Sequence, residues 1–185
     1  MHPEESSHDI QLGDTAPDFT AETTECTPSL STATSEKDGG CSSLTRPNSP
    51  PSARPNSVSS RADVTSSRAR NTKLIGVSVD SVDSHRKWSA DIAETQGQGL
   101  NYPLVGDEDR IVANLYGMNH PNAIETATVR TVFIIGPDKK VKLTLTYPAA
   151  IGRSVDEILR VLDGLQLSSK YSVSTPVNWH EMTTT

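Results

Sequence analysis

Aromatic side chains are scarce in this chain of 185 residues: two Trp, four Tyr and two Phe make up 4% of it. None stands between Cys26 and Ala69, where the only aliphatics larger than Ala are Leu30, Leu44, Val58 and Val64. A stretch so poor in apolar side chains cannot bury enough surface to offset its ordering entropy. Cysteine is also sparse. Cys26 and Cys41 are the only two, too few for a disulfide framework. An excess of positive charge is missing as well; the formal net charge is −6, which does not favour a nucleic-acid-binding surface. No apolar run reaches transmembrane length, so no membrane association is expected. The opening Met1-His-Pro-Glu-Glu-Ser-Ser-His-Asp9 is polar and acidic, unlike a secretory signal or an Arg-rich transit peptide. These absences together lead to the expectation of a soluble one-domain chain, cytoplasmic with the mitochondrion left open.

What the chain does contain lies mainly between Lys73 and Leu167. Lys73-Leu-Ile-Gly-Val-Ser-Val-Asp80 is apolar on both faces, as a central parallel strand should be. Thr131–Ile135 and Val141–Tyr147 read as a hairpin closed by Gly136-Pro-Asp-Lys139. Helices are expected over 84–94, with Trp88 and Ile92 on one face, and over 107–115, with Ile111, Val112 and Leu115 inward and Gly117 as the stop. A third opens with Ser154-Val-Asp-Glu157, a capping box, and carries the stripe Ile158, Leu159, Leu162, Leu165. Upstream, Pro17 restricts Ala16 to extended geometry, Phe19 offers a core anchor, and Thr20–Thr24 suits an edge strand. This order predicts an α/β fold with a mixed sheet, order returning at Asn71 after a flexible, disordered segment over about 26–69.

Several phrases together resemble the one-Cys peroxiredoxins, thiol peroxidases of the thioredoxin-like fold. They are Leu12-Gly-Asp-Thr-Ala-Pro-Asp-Phe19, Lys73 to Val82, Trp88-Ser-Ala-Asp-Ile92, Gly136-Pro-Asp-Lys-Lys140, Tyr147-Pro-Ala-Ala-Ile-Gly-Arg153 and Asp156-Glu-Ile-Leu-Arg-Val161. Thr175-Pro-Val-Asn-Trp179 resembles the start of that family's C-terminal extension. The resemblance divides the chain into a thioredoxin-like peroxiredoxin domain over 12–147 and a truncated C-terminal dimerisation region over 148–185. It implies reduction of hydrogen peroxide and alkyl hydroperoxides by a cysteine thiolate, antioxidant defence and redox homeostasis. The implied partners are a peroxide, an external thiol reductant and a second copy of the chain, without metal or organic cofactor.

The family's catalytic phrase, Ser-His-Pro-x-Asp-Phe-Thr-Pro-Val-Cys-Thr-Thr-Glu, is absent. In the family its Cys sits at a helix N-terminus, where the dipole and a nearby Arg favour the thiolate that attacks the O–O bond. The expected place of that Cys falls at Ser52/Ala53. Back-translation offers a reason. Gly-Trp-Gly-Val-Leu-Phe-Ser-His written GGA TGG GGG GTG CTC TTC TCT CAC and read one base out of phase gives Asp38 to Thr45. Thr-Pro-Val-Cys-Thr-Thr-Glu-Leu written ACC CCC GTC TGC ACG ACC GAA CTC gives Pro50 to Ser57 in the same shifted frame. We therefore read residues from about 27 to at least 57 as a peroxiredoxin segment translated out of frame. The coding DNA decides this: a second frame encoding Pro-Val-Cys is expected, and its absence would refute the reading.

Arg130, in Thr128-Val-Arg-Thr-Val-Phe133, matches the family's distal Arg, which holds the thiolate and polarises the peroxide; without the resemblance it is a surface Arg before a strand. Arg153 is assigned to structure or an interface. Cys41 is the only substitute nucleophile to weigh, and it lacks both the family's setting and an expected helix dipole. Cys26 follows Glu25, whose charge should raise its pKa. His2, His8, His85, His120 and His180 have no metal-ligand spacing and are expected at the surface. The Gly-Asp-Ser-Trp-Gly phrase that some relatives carry, linked to lipase activity, does not occur. The alternative to an enzyme is a redox-inactive thioredoxin-like remnant that only binds or dimerises. Loss of the family's central strand would leave Lys73–Val79 with an uncovered edge. In the C-terminal part Leu167, Tyr171, Val173, Val177 and Trp179 are expected to dock, with Trp179 against a partner subunit or its own sheet and any dimer weaker than the family norm.

Overall fold

The computed structural model describes residues 10–24, 42–45 (backbone only), 67, 69–96, 102–118, 130–148 and 151–181. Eight elements follow in order: β1 Ser42–Thr45, β2 Lys73–Ser78, α1 Val82–Gln96, β3 Leu104–Gly106, α2 Ile111–Leu115, β4 Arg130–Ile135, β5 Val141–Tyr147 and α3 Val155–Tyr171. The sheet order is β3-β2-β1-β4-β5. Strands β1, β2 and β3 run parallel, and β4 and β5 join antiparallel, which gives the mixed sheet expected.

The expectation of disorder across 26–69 is corrected at the centre of this sheet. Ser42-Ser-Leu-Thr45 forms β1, in register with Lys73–Gly76 on one side and Phe133–Ile135 on the other. Strand pairing uses backbone N–H and C=O groups, which Ser and Thr supply as well as Val does, and no proline interrupts these four residues. So β2 has a neighbour on both sides, and the uncovered edge expected for Lys73–Val79 is not there. Order also returns earlier than Asn71, since the carbonyl of Ser67 accepts the amides of Arg70 and Thr72.

Pleat alternation divides the core between the two faces. On one face Ile75, Val77, Val105, Phe133, Ile135 and Val141 meet Val112, Ala113 and Tyr116 with Ala16 and Phe19. On the other, Ile134 and Leu143 meet Ile158, Val161, Leu162 and Leu165 of α3. Val161 joins the expected stripe, and Leu159 is half-buried. Gly106 lies on the α1 side, where a methyl group would stand 2.8 Å from Val82 Cγ2 and 2.9 Å from its amide nitrogen. The Thr20–Thr24 stretch meets the outer edge of β3 as isolated bonds: Thr24 N donates to Leu104 O, and Gly106 N to Glu22 O.

Two helix expectations are corrected. The second helix spans only five residues because its N-cap, Arg110, stands in the left-handed region at φ 56°; ahead of that turn the Asp107 carboxylate accepts from Val112 N at 3.0 Å and Ala113 N at 2.7 Å. The shorter helix turns Val112 and Ala113 inward, while Ile111 and Leu115, expected inside, are 65% and 40% exposed. Gly117 closes it in the left-handed region at φ 62°, as expected. In α3, Ser154 Oγ accepts from Glu157 N at 3.3 Å, which is half of the capping box. The other half is not made. The Glu157 side chain pairs with Arg160 at 2.6 and 2.7 Å, and that hydrogen bonding holds its carboxyl below the usual range.

The tail after α3 doubles back along it. Arg160 Nη1 donates to the Trp179 carbonyl at 3.3 Å, and a methyl group on Gly164 would stand 3.7 Å from Trp179 Cζ3. Trp179 thus packs on its own helix rather than its own sheet. Of the docking residues expected, Leu167 and Trp179 are half-buried, whereas Tyr171, Val173 and Val177 are exposed. No described helix is long and apolar enough to cross a membrane.

Candidate active site

The strand directions gather the candidate chemistry at one end of the sheet. The C-terminal end of β1 is Thr45, and β4 runs antiparallel to it with Leu44 opposite Phe133. Arg130, the first residue of β4, therefore stands beyond the end of β1. Across β5 it is paired with Tyr147. Its Nη1 donates to the carbonyl of Ile151 at 3.0 Å. Ile151 N in turn donates to Pro148 O, so a tight turn after β5 presents the acceptor.

This arrangement holds a cation, half-buried, at the C-terminal end of a central parallel strand. A guanidinium fixed there can hold an anion or polarise an O–O bond at the head of whatever follows β1. Cys26, Cys41, Ser52 and Ala53 lie outside the described residues. Tyr147 and the Ile151 carbonyl were not singled out as site residues, although both belong to the Tyr147 to Arg153 phrase. Arg153 follows two residues after that carbonyl and is half-buried. Two grooves, of about 940 Å³ and 710 Å³, flank Arg70, away from Arg130.

The Phe133 face of the sheet has an aromatic core. Tyr116 stands edge-on to Phe19 at 6.0 Å and to Phe133 at 5.3 Å, and its hydroxyl donates to Pro17 O at 2.8 Å. Burial pushes the Tyr116 hydroxyl pKa well up, so it serves as a neutral donor. His85 corrects the surface expectation for the histidines: it is 2% exposed. His180 is exposed, and His2, His8 and His120 lie outside the described residues.

Residues 12–144 match the model of the AhpC/TSA family, and the chain belongs to that family, on its one-Cys peroxiredoxin side. Among curated relatives, it is 54% identical over 110 residues to a 1-Cys peroxiredoxin of Dictyostelium discoideum (60% of this chain, 46% of the relative). It is 48% identical over 118 residues to peroxiredoxin-6 of Rattus norvegicus (60% of this chain, 53% of the relative). The chain thus spans about half the length of the curated relatives it matches. Among solved structures it superposes on a yeast mitochondrial 1-Cys peroxiredoxin at a TM-score of 0.77 and 35% identity, covering 92% of this chain and 83% of that one. That structure concerns thiol resolution through glutathione and thioredoxin systems. A peroxiredoxin 6 of Arenicola marina superposes at 0.75 with 36% identity, covering 92% and 80%. The fold is thioredoxin-like, as expected.

Proposed function

We propose that this chain carries the scaffold of a thiol peroxidase whose nucleophile is missing from the sequence as it stands. The reaction of the scaffold is reduction of hydrogen peroxide and alkyl hydroperoxides. A thiolate at the head of the segment after β1 attacks the O–O bond and takes up one oxygen as a sulfenic acid while water or the alcohol leaves; two external thiols then restore it, releasing water and their disulfide. The observation that carries the reading is Arg130 at the C-terminal end of β1, in a chain of the AhpC/TSA family, set against Ser52-Ala53 where the thiol should be. As written, the chain is a redox-inactive thioredoxin-like protein. Under the same reading it resides in the cytoplasm and associates with a second copy of itself through residues 148–185.

Peroxide consumption with dithiothreitol tests this. The chain as written should not exceed the rate of its free thiols, and Cys41→Ala should remove no more than one free thiol's share of that rate. A chain with residues 27–57 rewritten in the alternative frame, which restores Pro-Val-Cys, should turn over. In that chain Arg130→Ala should lower the rate by about 10²-fold, the usual loss when one charge-stabilising donor is removed. Turnover by the chain as written that Cys41→Ala abolishes would overturn the proposal, as would a rewritten chain that folds but stays inert.

A further inference from the structure

Two polar side chains that this chemistry does not use meet at the end of β2, and a third, His85, lies within electrostatic reach of them. Ser78 is 1% exposed, and His85, in the first turn of α1, is 2% exposed. Ser78 Oγ donates to Asp80 Oδ2 at 2.8 Å, and the Asp80 amide donates to Ser78 Oγ at 3.3 Å. Among the described residues His85 Nε2, which is buried, has no hydrogen-bond partner. A dry imidazole nitrogen is tolerable while the ring is neutral and becomes far more costly when it is charged.

We propose that Ser78, Asp80 and His85 form an acid-sensitive latch: a proton taken from solvent by His85 draws the Asp80 carboxylate from Ser78 to the imidazolium and releases the first turn of α1 from the sheet. Asp80 lies in the link between β2 and α1, so its displacement carries that link with it. The link is also what starts the helix. Ser81 Oγ accepts from Ser84 N at 3.2 Å, and Ser81 O accepts from His85 N at 3.1 Å. Next along the chain, Val82 is packed against Gly106 without room for a methyl group. A fit that close yields as a unit rather than by degrees.

The other charged groups around this turn do not compete for the imidazolium. Asp83 and Arg86 of α1 pair with each other at 3.2 Å in solvent, and Asp107 at the end of β3 gives both oxygens to the amides of Val112 and Ala113. Among the described residues, Asp80 is the charge that acts on His85. Burial holds the His85 pKa below its ordinary value in the closed state, against the opposing pull of Asp80. The open state, with an ordinary pKa of about 6.5, therefore binds more protons in the window below that value. Opening is unaffected well above pH 6.5 and favoured as pH falls from there toward the closed-state pKa. At pH 5.0 the gain is at most about 30-fold, the ratio set by an open-state pKa of about 6.5. Because β1 and β2 run parallel, the latch stands at the same end of the sheet as Arg130.

Amide hydrogen exchange of the whole chain at pH 7.5 and 5.0, corrected for intrinsic rates, tests this together with a ring-nitrogen titration of His85. The amides of 84–87 should lose protection by up to about 30-fold at pH 5.0, those of α3 should not change, and His85→Gln should remove the response. An unchanged response in His85→Gln, or none in the wild type, overturns the latch. Should His85→Gln not fold, the wild-type titration decides: a ring that becomes charged with no loss of protection in α1 is the refuting result.

Discussion

Replacing Tyr116 by alanine should remove about 3–5 kcal/mol of stability, the usual cost of deleting a buried large aromatic. The ring is 2% exposed and bridges Phe19 of the N-terminal segment to Phe133 of β4, so its loss empties the junction between three parts of the chain. Aromatics are so few here that no neighbour can refill the space. Tyr116→Phe keeps the ring and strands only the Pro17 carbonyl, at a cost of about 1 kcal/mol. Against a total stability of about 5–15 kcal/mol, the alanine variant should be largely unfolded in mild urea while the phenylalanine variant is not. Urea titration of both checks this. A midpoint for Tyr116→Ala close to that of Tyr116→Phe would show that the ring does not tie the segments together.

Asp107→Ala should cost about 2–4 kcal/mol, because it strands two donors at once. Both oxygens of the carboxylate are committed, to Val112 N and Ala113 N, and both of those residues are within 2% of full burial. Water cannot readily replace the lost acceptor there, unlike at an exposed cap, where alanine costs about 1 kcal/mol. Asp107→Asn retains one acceptor oxygen and should fall between. Thermal unfolding gives the ranking, and exchange at the Val112 and Ala113 amides locates the effect. A loss no larger than that of an exposed cap, with both amides still protected, would mean that the carboxylate is replaceable.

Features governed by neighbouring residues were legible in the sequence. The turn Gly136-Pro-Asp-Lys139 and the flanking β-branched runs specify the hairpin β4–β5 within a few residues. Ser154 marks the start of α3 because a cap needs only its own first turn, and Gly117 marks a stop because its positive φ is a local demand. Arg130 was legible for a different reason. It stands in a phrase shared with the peroxiredoxins, and strand order then places it at the end of β1.

Other features depended on residues far apart in the chain, and the tertiary structure alone decided them. Nothing in Ser-Ser-Leu-Thr announces a central strand; those four residues pair because β2 and β4 present their backbone edges on either side. The inward face of α2 could not be read from its apolar residues, because the left-handed turn at Arg110 sets where the helix begins, and the distant Asp107 carboxylate holds its first amides. Glu157 was read as half of a capping box, yet a guanidinium one turn away is the stronger partner for a carboxylate. His85 lies in a polar helix, and only packing reveals that it is buried. The acceptor that aims Arg130 is a backbone carbonyl 21 residues downstream. Every residue has such a carbonyl, so residue type cannot mark it, and only the return of the chain after β5 brings this one within reach.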